Sequence, residues 1–376
     1  MTAEAAMNLA MPDRRTRERR VAIVHYWLVG MRGGERVLER LLRLYPQADI
    51  FTHVYVPERI SDEINAHKVT TSFIQKLPAA ARLYQKYLPL MPLALEQLDL
   101  SGYDLVISSE SGPAKGVIAP PEARHICYCH SPMRYLWDSY HQYLDTAGRF
   151  SKLAMPLFFG SLRQWDTASA ARVDAIAANS SFIRQRIRRA WGRDSTVVFP
   201  PVDVDSYRPA EQRGDHFLWV GQMTPYKRAD LAVEAFNRLK LPLLVVGDGP
   251  MARSVAKIAG PTIKIVPRLP YDELKRAYAD CRALIFTGIE DFGIVPVEAN
   301  ASGTPVIAFG QGGVLDTIKP GASGLYYDEM TADSIVEAVQ RFVRIEADFS
   351  PQDCVAQARN FRPELFDAGI RSLADA

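Results

Sequence analysis

Two carboxylates and two cations carry the strongest chemical signal in this chain. Glu290 and Glu298 lie within Thr287-Gly-Ile-Glu-Asp-Phe-Gly-Ile-Val-Pro-Val-Glu-Ala299, with seven residues between them. Carboxylates accept hydrogen bonds from hydroxyls, so such a pair suits a sugar and a ribose. Between them Gly293 permits an unusual turn, and successive amides at such a turn can grip phosphate. Lys227 and Arg228 close the segment Gly221-Gln222-Met223-Thr224-Pro225-Tyr226-Lys227-Arg228. Adjacent cations can neutralise a diphosphate. Positive charge at a helix start is mildly unfavourable, which favours a functional reason for its being there. Two further turns, Gly30-Met-Arg-Gly33-Gly34 and Val246-Gly247-Asp248-Gly249-Pro250, could bring backbone amides to an anion. Their spacing is neither that of a dinucleotide fingerprint nor that of a P-loop.

Those loops need elements that hold them. Short apolar runs read as buried strands at Val21–Val24, Ile50–Thr52, Asp104–Ile107, His125–Tyr128 and Ala175–Ala178. The pattern breaks at Pro200, Pro201 and Pro209. It resumes at Phe217–Val220, Leu243–Val246, Ile263–Val266, Ala283–Phe286 and Pro305–Ala308. Helical segments lie between most runs, which implies α/β architecture with mostly parallel sheets. We expect two doubly wound, Rossmann-like domains facing across a cleft. One spans 21–205 with a carboxyl-terminal helix at about 360–376, and the other spans 206–359. Ligands of such sheets sit beyond the carboxyl ends of the strands, where the loops above fall.

The 376 residues carry 45 Lys and Arg against 43 Asp and Glu, a net charge of +2, which argues against bulk nucleic-acid binding. Four cysteines in so long a chain are no disulfide framework, and Cys127 and Cys129 are too close for a CxxC site. No His/Cys cluster has metal spacing, and Asp203 and Asp205 lie in the linker rather than at a strand end, so no metal is expected. Residues 1–20, with Arg14, Arg15, Arg17, Arg19 and Arg20, read as a poorly ordered basic tail. From Lys68 to Leu95 there is no acidic residue. Lys76, Arg82 and Lys86 alternate there with Phe73, Tyr84 and Tyr87, which along a helix suits anionic headgroups. A second basic run, Arg184 to Arg193, reads as a solvated helix face. No apolar run reaches the ~18 residues of a spanning helix.

The Glu290–Glu298 segment and the Gly221–Arg228 and Val246–Pro250 turns, in this order and separation, resemble the retaining glycosyltransferases of family 4, which have the GT-B fold. In the amino-terminal half, Leu88–Pro92, Gly102–Ser108, Ala114–Gly116 and Cys129-His-Ser-Pro-Met-Arg-Tyr-Leu-Trp137 resemble bacterial mannosyltransferases of O-antigen and exopolysaccharide assembly. The resemblance implies transfer of a sugar, mannose from GDP-mannose first, onto a polyprenyl-diphosphate-linked oligosaccharide. It implies a peripheral enzyme at the inner face of the plasma membrane. A UDP-sugar enzyme of the same family and a non-catalytic nucleotide-sugar-binding protein are the alternatives. By residue, it implies Glu298 on the ribose, Glu290 on the donor sugar and Lys227 on the phosphates. Amides around Phe292, Gly293 and Ile294 would bind phosphate or sugar, with Gly33 and Gly34 near the diphosphate. His130 would stand by the anomeric carbon. Gln222 occupies a position where the family commonly has Arg, and Arg228 is expected to compensate. Lys76, Arg82, Tyr84, Lys86 and Arg134 are assigned to the acceptor and membrane side. The leaving diphosphate needs no metal if fixed charges and helix ends stabilise it.

Overall fold

The computed structural model describes residues 19–146 and 148–376. The tail reading for residues 1–18 lies outside the described residues.

Two parallel sheets form. The first holds β1 (Val21–His25), β2 (Asp49–Thr52), β3 (Val69–Thr71), β4 (Leu105–Glu110), β5 (Arg124–Cys129), β6 (Ala175–Ala178) and β7 (Thr196–Val197). Their order is β3-β2-β1-β4-β5-β6-β7. The second holds β8 (Phe217–Val220), β9 (Leu243–Val246), β10 (Ile263–Val266), β11 (Leu284–Phe286), β12 (Val306–Phe309) and β13 (Gly324–Tyr327), ordered β10-β9-β8-β11-β12-β13. Every pairing is parallel. The central strands are buried along most of their length because helices cover both faces: β1 and β12 are buried at every position. The helices supply the complementary faces. In Gly33–Leu44 the residues Val37, Leu38, Leu41 and Leu42 point into the first core, as their spacing predicts.

In each sheet the winding reverses at the same place, between the first and fourth strands. Parallel neighbours β1 and β4, like β8 and β11, send their chains to opposite faces, and a crevice opens between the departing loops. The loops that leave β1, β4, β8 and β11 are thus the ones the topology makes available for ligands.

The chain crosses between the domains twice. The outward crossing lies near Phe199–Val204. The return lies at Arg359–Arg362, where Val202 N–H bonds Phe361 O at 2.9 Å. Around this double crossing Phe361 packs edge to face against Phe199 and Phe292, which lie tilted to each other. The last helix, Pro363–Asp375, then buries Phe366, Ile370 and Ala374 in the core of the first sheet beside Val21, Ile23 and Tyr128. Arg40 clamps it with a bidentate pair to Asp367 at 2.6 and 2.8 Å.

Three sequence expectations change. Arg19 and Arg20, read as the end of a loose tail, are tied down: Arg19 bonds Asp375 at 2.9 Å, and Arg20 N–H bonds the Asp104 carboxylate. The acid-free stretch is not one helix. Pro78, Pro89 and Pro92 divide it into turns at Phe73–Lys76 and Tyr84–Leu90 and short helices at Ala80–Leu83 and Met91–Glu96. Its aromatics face inward, with Tyr84 against Trp27 and the Tyr87 hydroxyl on Pro78 O. Finally, Arg184–Arg193 is not merely a solvated face, since Arg186 is buried.

A charged cluster sits under the β4 loop. Lys115, Glu110 and Asp166 are all fully buried, and the Lys115 ammonium pairs with both carboxylates. Glu110 also accepts the Ala114 and Lys115 amides at 2.8 Å, while the Trp137 and Trp191 indoles donate to Asp166 at 2.7 Å. Lys115 lies 4.2 Å from the Trp191 ring centroid. Removal of the cation strands two carboxylates out of water. Lys115→Ala should therefore cost about 3–5 kcal/mol of stability, read from urea unfolding of the variant beside wild type. A loss under about 1 kcal/mol would show that water reaches the cluster.

Candidate active site

The second sheet contributes the charged side. The loop after β8 carries Lys227, and the loop after β11 carries Glu290. Lys227 Nζ meets Glu290 Oε1 at 2.9 Å, each side chain about one-fifth exposed (20% and 22%). Burial by itself would lower the Lys227 pKa, but the charge and hydrogen bond of Glu290, with Tyr226, together outweigh it and hold the ammonium above its usual value. The two loops are built on each other. Thr287 Oγ1 donates to Lys227 O and accepts from Trp219 Nε1 at 3.0 Å. The Val246–Pro250 turn braces them from behind, with Met223 N–H on Asp248 O and Met251 N–H on Met223 O. Gly247 must lack a side chain, because a Cβ there would fall 1.9 Å from Gly221 O.

Gly293, at φ +93, caps the helix Ile294–Ala301. Glu298 lies in that helix. Its carboxylate accepts the Tyr278 hydroxyl at 2.8 Å. Burial raises the Glu298 pKa, opposed by hydrogen bonds from Tyr278 and Tyr207. A carboxylate so placed gains from any further hydroxyl donor, which is what a ribose offers. Phe292, in contrast, turns its ring into the core against Phe199 and Phe361, so only its backbone is available to a ligand.

The first sheet faces this set with the loop after β1. Gly33 opens the helix Gly33–Leu44, and a Cβ on it would touch Ile294 Cδ1 at 3.5 Å. Two helix amino-termini from different domains therefore meet here, both with the positive end of the helix dipole at the cleft. Gly34 is required for a different reason: its Cβ would lie 2.4 Å from the Tyr26 hydroxyl. His130 follows β5, half-buried. Its N–H bonds Glu110 O at 2.8 Å and its Nε2 contacts Ser109 Oγ at 2.9 Å. Burial foremost, then the neighbouring His25, pushes its pKa down to about 3. His130 is therefore neutral near pH 7.

Not every expected residue joins. Arg228 does not share in the Lys227–Glu290 pair. It has φ +52, and Asp230 holds its guanidinium at 2.9 to 3.2 Å. Gln222 is exposed, with its backbone O engaged by Thr224 N–H. Lys76, Arg82 and Lys86 are exposed and form no ion pair among the described residues, nor do they contact the Lys227–Glu290 pair. Arg134, grouped with them from sequence, lies instead across the cleft: its guanidinium meets Asp291 Oδ1 at 2.5 Å.

Asp291 was not singled out from sequence, and neither Arg134 nor Arg186 was read there as its partner. The same oxygen takes Arg186 Nη1 at 3.0 Å, and Asp291 O accepts the Ser180 hydroxyl. Arg186 reaches on to Ser131 Oγ at 2.7 Å and to Asp138 at 2.5 Å. The loop is held from its other side by Gly313 N–H on Glu290 O at 2.9 Å. A Cβ on Gly313 would fall 2.3 Å from Phe292 Cα. The run Gly310-Gln-Gly-Gly313 after β12 was the available signal, since β12 is the neighbour of β11.

Two family models match in tandem: Glycosyltransferase Family 4 over residues 31–206 and glycosyl transferases group 1 over residues 208–361. Among curated relatives, a D-inositol 3-phosphate glycosyltransferase of Nocardioides sp. is 27% identical over 50% of this chain and 50% of its own length. A GDP-mannose-dependent alpha-(1-6)-phosphatidylinositol monomannoside mannosyltransferase of Mycobacterium tuberculosis is 29% identical over 44% of this chain and 51% of its own. The chain thus spans about half the length of the curated relatives it matches. Solved structures share the whole fold. The lipopolysaccharide outer core galactosyltransferase WaaB has a TM-score of 0.67 at 17% identity, over 94% of this chain and 98% of that one. The Anabaena protein HepE, crystallised with UDP and glucose, has 0.70 at 14%, over 94% and 99%. With each domain matched in turn and the two-sheet architecture shared throughout, the chain belongs to the group 1/family 4 glycosyltransferases of GT-B fold.

Proposed function

We propose that this protein transfers a hexose from a nucleotide sugar to a glycan acceptor with retention of anomeric configuration, and that the donor is GDP-mannose. The observation that carries the reading is the Lys227–Glu290 pair at the crevice of the second sheet, with two facing helix amino-termini at Gly33 and Ile294 and a tyrosine-held Glu298 on the helix that follows the Glu290 loop. In this reading Glu298 takes the ribose hydroxyls, and Glu290 a hydroxyl of the donor sugar. Lys227 and the amides at Gly293 and Ile294 take the diphosphate. Breaking the bond from the anomeric carbon to phosphate builds charge on the departing diphosphate, which fixed cations and helix ends stabilise without reorganising. The acceptor oxygen bonds the same carbon, and its proton passes to the departing phosphate. No carboxylate nucleophile and no metal take part. Neutral His130 is placed as a hydrogen-bonding group beside the sugar. The mannosyltransferase of Mycobacterium tuberculosis supports the guanine nucleotide. The UDP and glucose bound by HepE favour a second reading, a UDP-sugar donor.

We further propose a polyprenyl-diphosphate-linked acceptor in exopolysaccharide or O-antigen assembly, reached from the inner leaflet by docking through Lys76, Arg82 and Lys86. No helix among the described residues is long and apolar enough to cross a membrane. The apolar side chains best exposed beside the three cations are Leu90 and Leu93 rather than the aromatics expected from sequence. Each cation near an anionic surface is worth about 1 kcal/mol and is screened by salt.

Calorimetric titration of GDP and UDP in the presence of EDTA tests the donor. GDP should bind more tightly, and Glu298→Ala should weaken it by about 1–3 kcal/mol in a folded variant. Tighter UDP binding would select the second reading, and an unchanged affinity in the variant would remove Glu298 from the ribose. Lys227→Ala should lower kcat far more than it raises the acceptor KM, because charge develops on the leaving group. A defect confined to acceptor KM would place Lys227 elsewhere. Replacement of Lys76, Arg82 and Lys86 together by Glu should release the protein from phosphatidylglycerol-containing vesicles in a sedimentation assay. Retention of binding would show that another surface docks.

A further inference from the structure

Behind His130 lies a file of buried polar groups that the reaction above does not use. Glu35, His25 and Ser109 are each 2% exposed or less. Each comes from a different place in the first domain: the helix Gly33–Leu44, the end of β1 and β4. Ser109 Oγ stands between two imidazoles, 3.0 Å from His25 Nδ1 and 2.9 Å from His130 Nε2. On the far side of His25, its Nε2 faces Glu35 Oε1 at 3.6 Å. That is longer than a hydrogen bond, but close enough for the carboxylate charge to bias a proton toward that nitrogen. Glu35 itself cannot turn freely, because Arg32 N–H holds Oε2 at 2.8 Å. The other polar ring neighbours are the Tyr26 phenol beside His25 and the Tyr128 phenol beside His130. Among the described residues, His130 Nδ1 has no hydrogen-bond partner, its ring being engaged through Nε2.

A serine hydroxyl has one proton. Between two neutral imidazoles it donates to one and accepts from the other, so the tautomer of the first dictates that of the second. A neutral His25 with the carboxylate at Nε2 keeps its proton there and offers the Nδ1 lone pair. Ser109 donates to that lone pair and accepts from His130. His130 is then protonated on Nε2 and bare on Nδ1.

We propose that Glu35 is a positioning residue: through His25 and Ser109 it holds His130 in the tautomer whose Nδ1 accepts a hydrogen bond from a hydroxyl of the bound donor sugar. The placement of that hydroxyl rests on the glycosyltransferase reading, whereas the tautomer does not. The file makes His130 an acceptor and denies it the role of donor to the leaving group. It also links the helix that follows the β1 loop to the β5 loop that carries His130. A shift of Glu35 with its helix changes what His130 can accept.

Glu35→Gln tests the inference sharply. Arg32 N–H retains the amide oxygen, so the amide nitrogen must face His25 Nε2. Nε2 becomes an acceptor, His25 carries its proton on Nδ1, Ser109 reverses, and His130 is left protonated on Nδ1. Long-range proton–nitrogen NMR of histidine-labelled protein distinguishes bare from protonated ring nitrogens. Wild type should show His130 with a bare Nδ1, and Glu35→Gln should invert it. Affinity for the nucleotide sugar should fall on the order of tenfold, with affinity for the nucleoside diphosphate unchanged. Ser109→Ala, the milder cut, should leave His130 as a mixture of tautomers. A bare Nε2 on His130 in wild type, or the wild-type tautomer in both variants, overturns the proposal. Failure of the glycosyltransferase reading would instead appear as no transfer by wild type, with the NMR result standing.

Discussion

One carboxylate oxygen holds the cleft in register. Asp291 Oδ1 meets Arg134 and Arg186 from the first domain, and the adjoining carbonyl takes Ser180. Arg186 is spread over Asp291, Asp138 and Ser131, so its charge is compensated on both sides of the boundary. A buried guanidinium left unpaired is costly, which makes an opening of the cleft at this point expensive unless replacement partners come in. The neighbour of Asp291 is Glu290, and the neighbour of Ser131 is His130. The latch thus fixes the distance between the loop that follows β5 and the loop that follows β11. Every proposed contact with the donor is measured from that span.

The electrostatics on the two sides of the cleft differ in kind. The second domain offers full charges, Lys227 with Glu290, already paired before any ligand arrives. The first domain offers partial charges and neutral groups: a helix end at Gly33 and a neutral imidazole at His130. A diphosphate placed between them competes with Glu290 for Lys227 and frees that carboxylate to accept a hydroxyl. In the proposed reading the pair is a waiting arrangement in which each partner stands in for part of the substrate. The helix ends need no such release, because backbone dipoles do not rearrange when charge appears.

The architecture was legible in the sequence because its signals are local. Ten apolar runs mark ten of the thirteen strands. The three that left no clear run are β3, β7 and β13, two at the edges of the first sheet and one at an edge of the second. Edge strands are covered less completely, so Val69-Thr-Thr71 and Thr196-Val197 need not be apolar. The clustered loops were legible for the same reason, since glycine and charge at the end of a buried run are visible without coordinates. The acid-free stretch misled because charge and aromaticity are also what a proline-broken set of turns needs to cover a core. Tyr84 and Tyr87 are amphipathic, and sequence does not say which end meets water.

Composition and periodicity determined two parallel sheets and put Glu290, Lys227 and Gly33 in the segments that follow strands and Glu298 in the helix after one, because hydrophobic runs and turn residues act over a few positions. Tertiary structure decided which charges are spent on each other. Arg228 is consumed by Asp230, Arg134 by Asp291, and the buried Arg186 emerged from a run that read as solvated surface. The two pairings with Asp291 join residues more than a hundred positions apart, as Arg186 and Asp291 are. Their partners depend on how two domains meet and on the desolvation that meeting imposes. Neither quantity exists until the chain has folded.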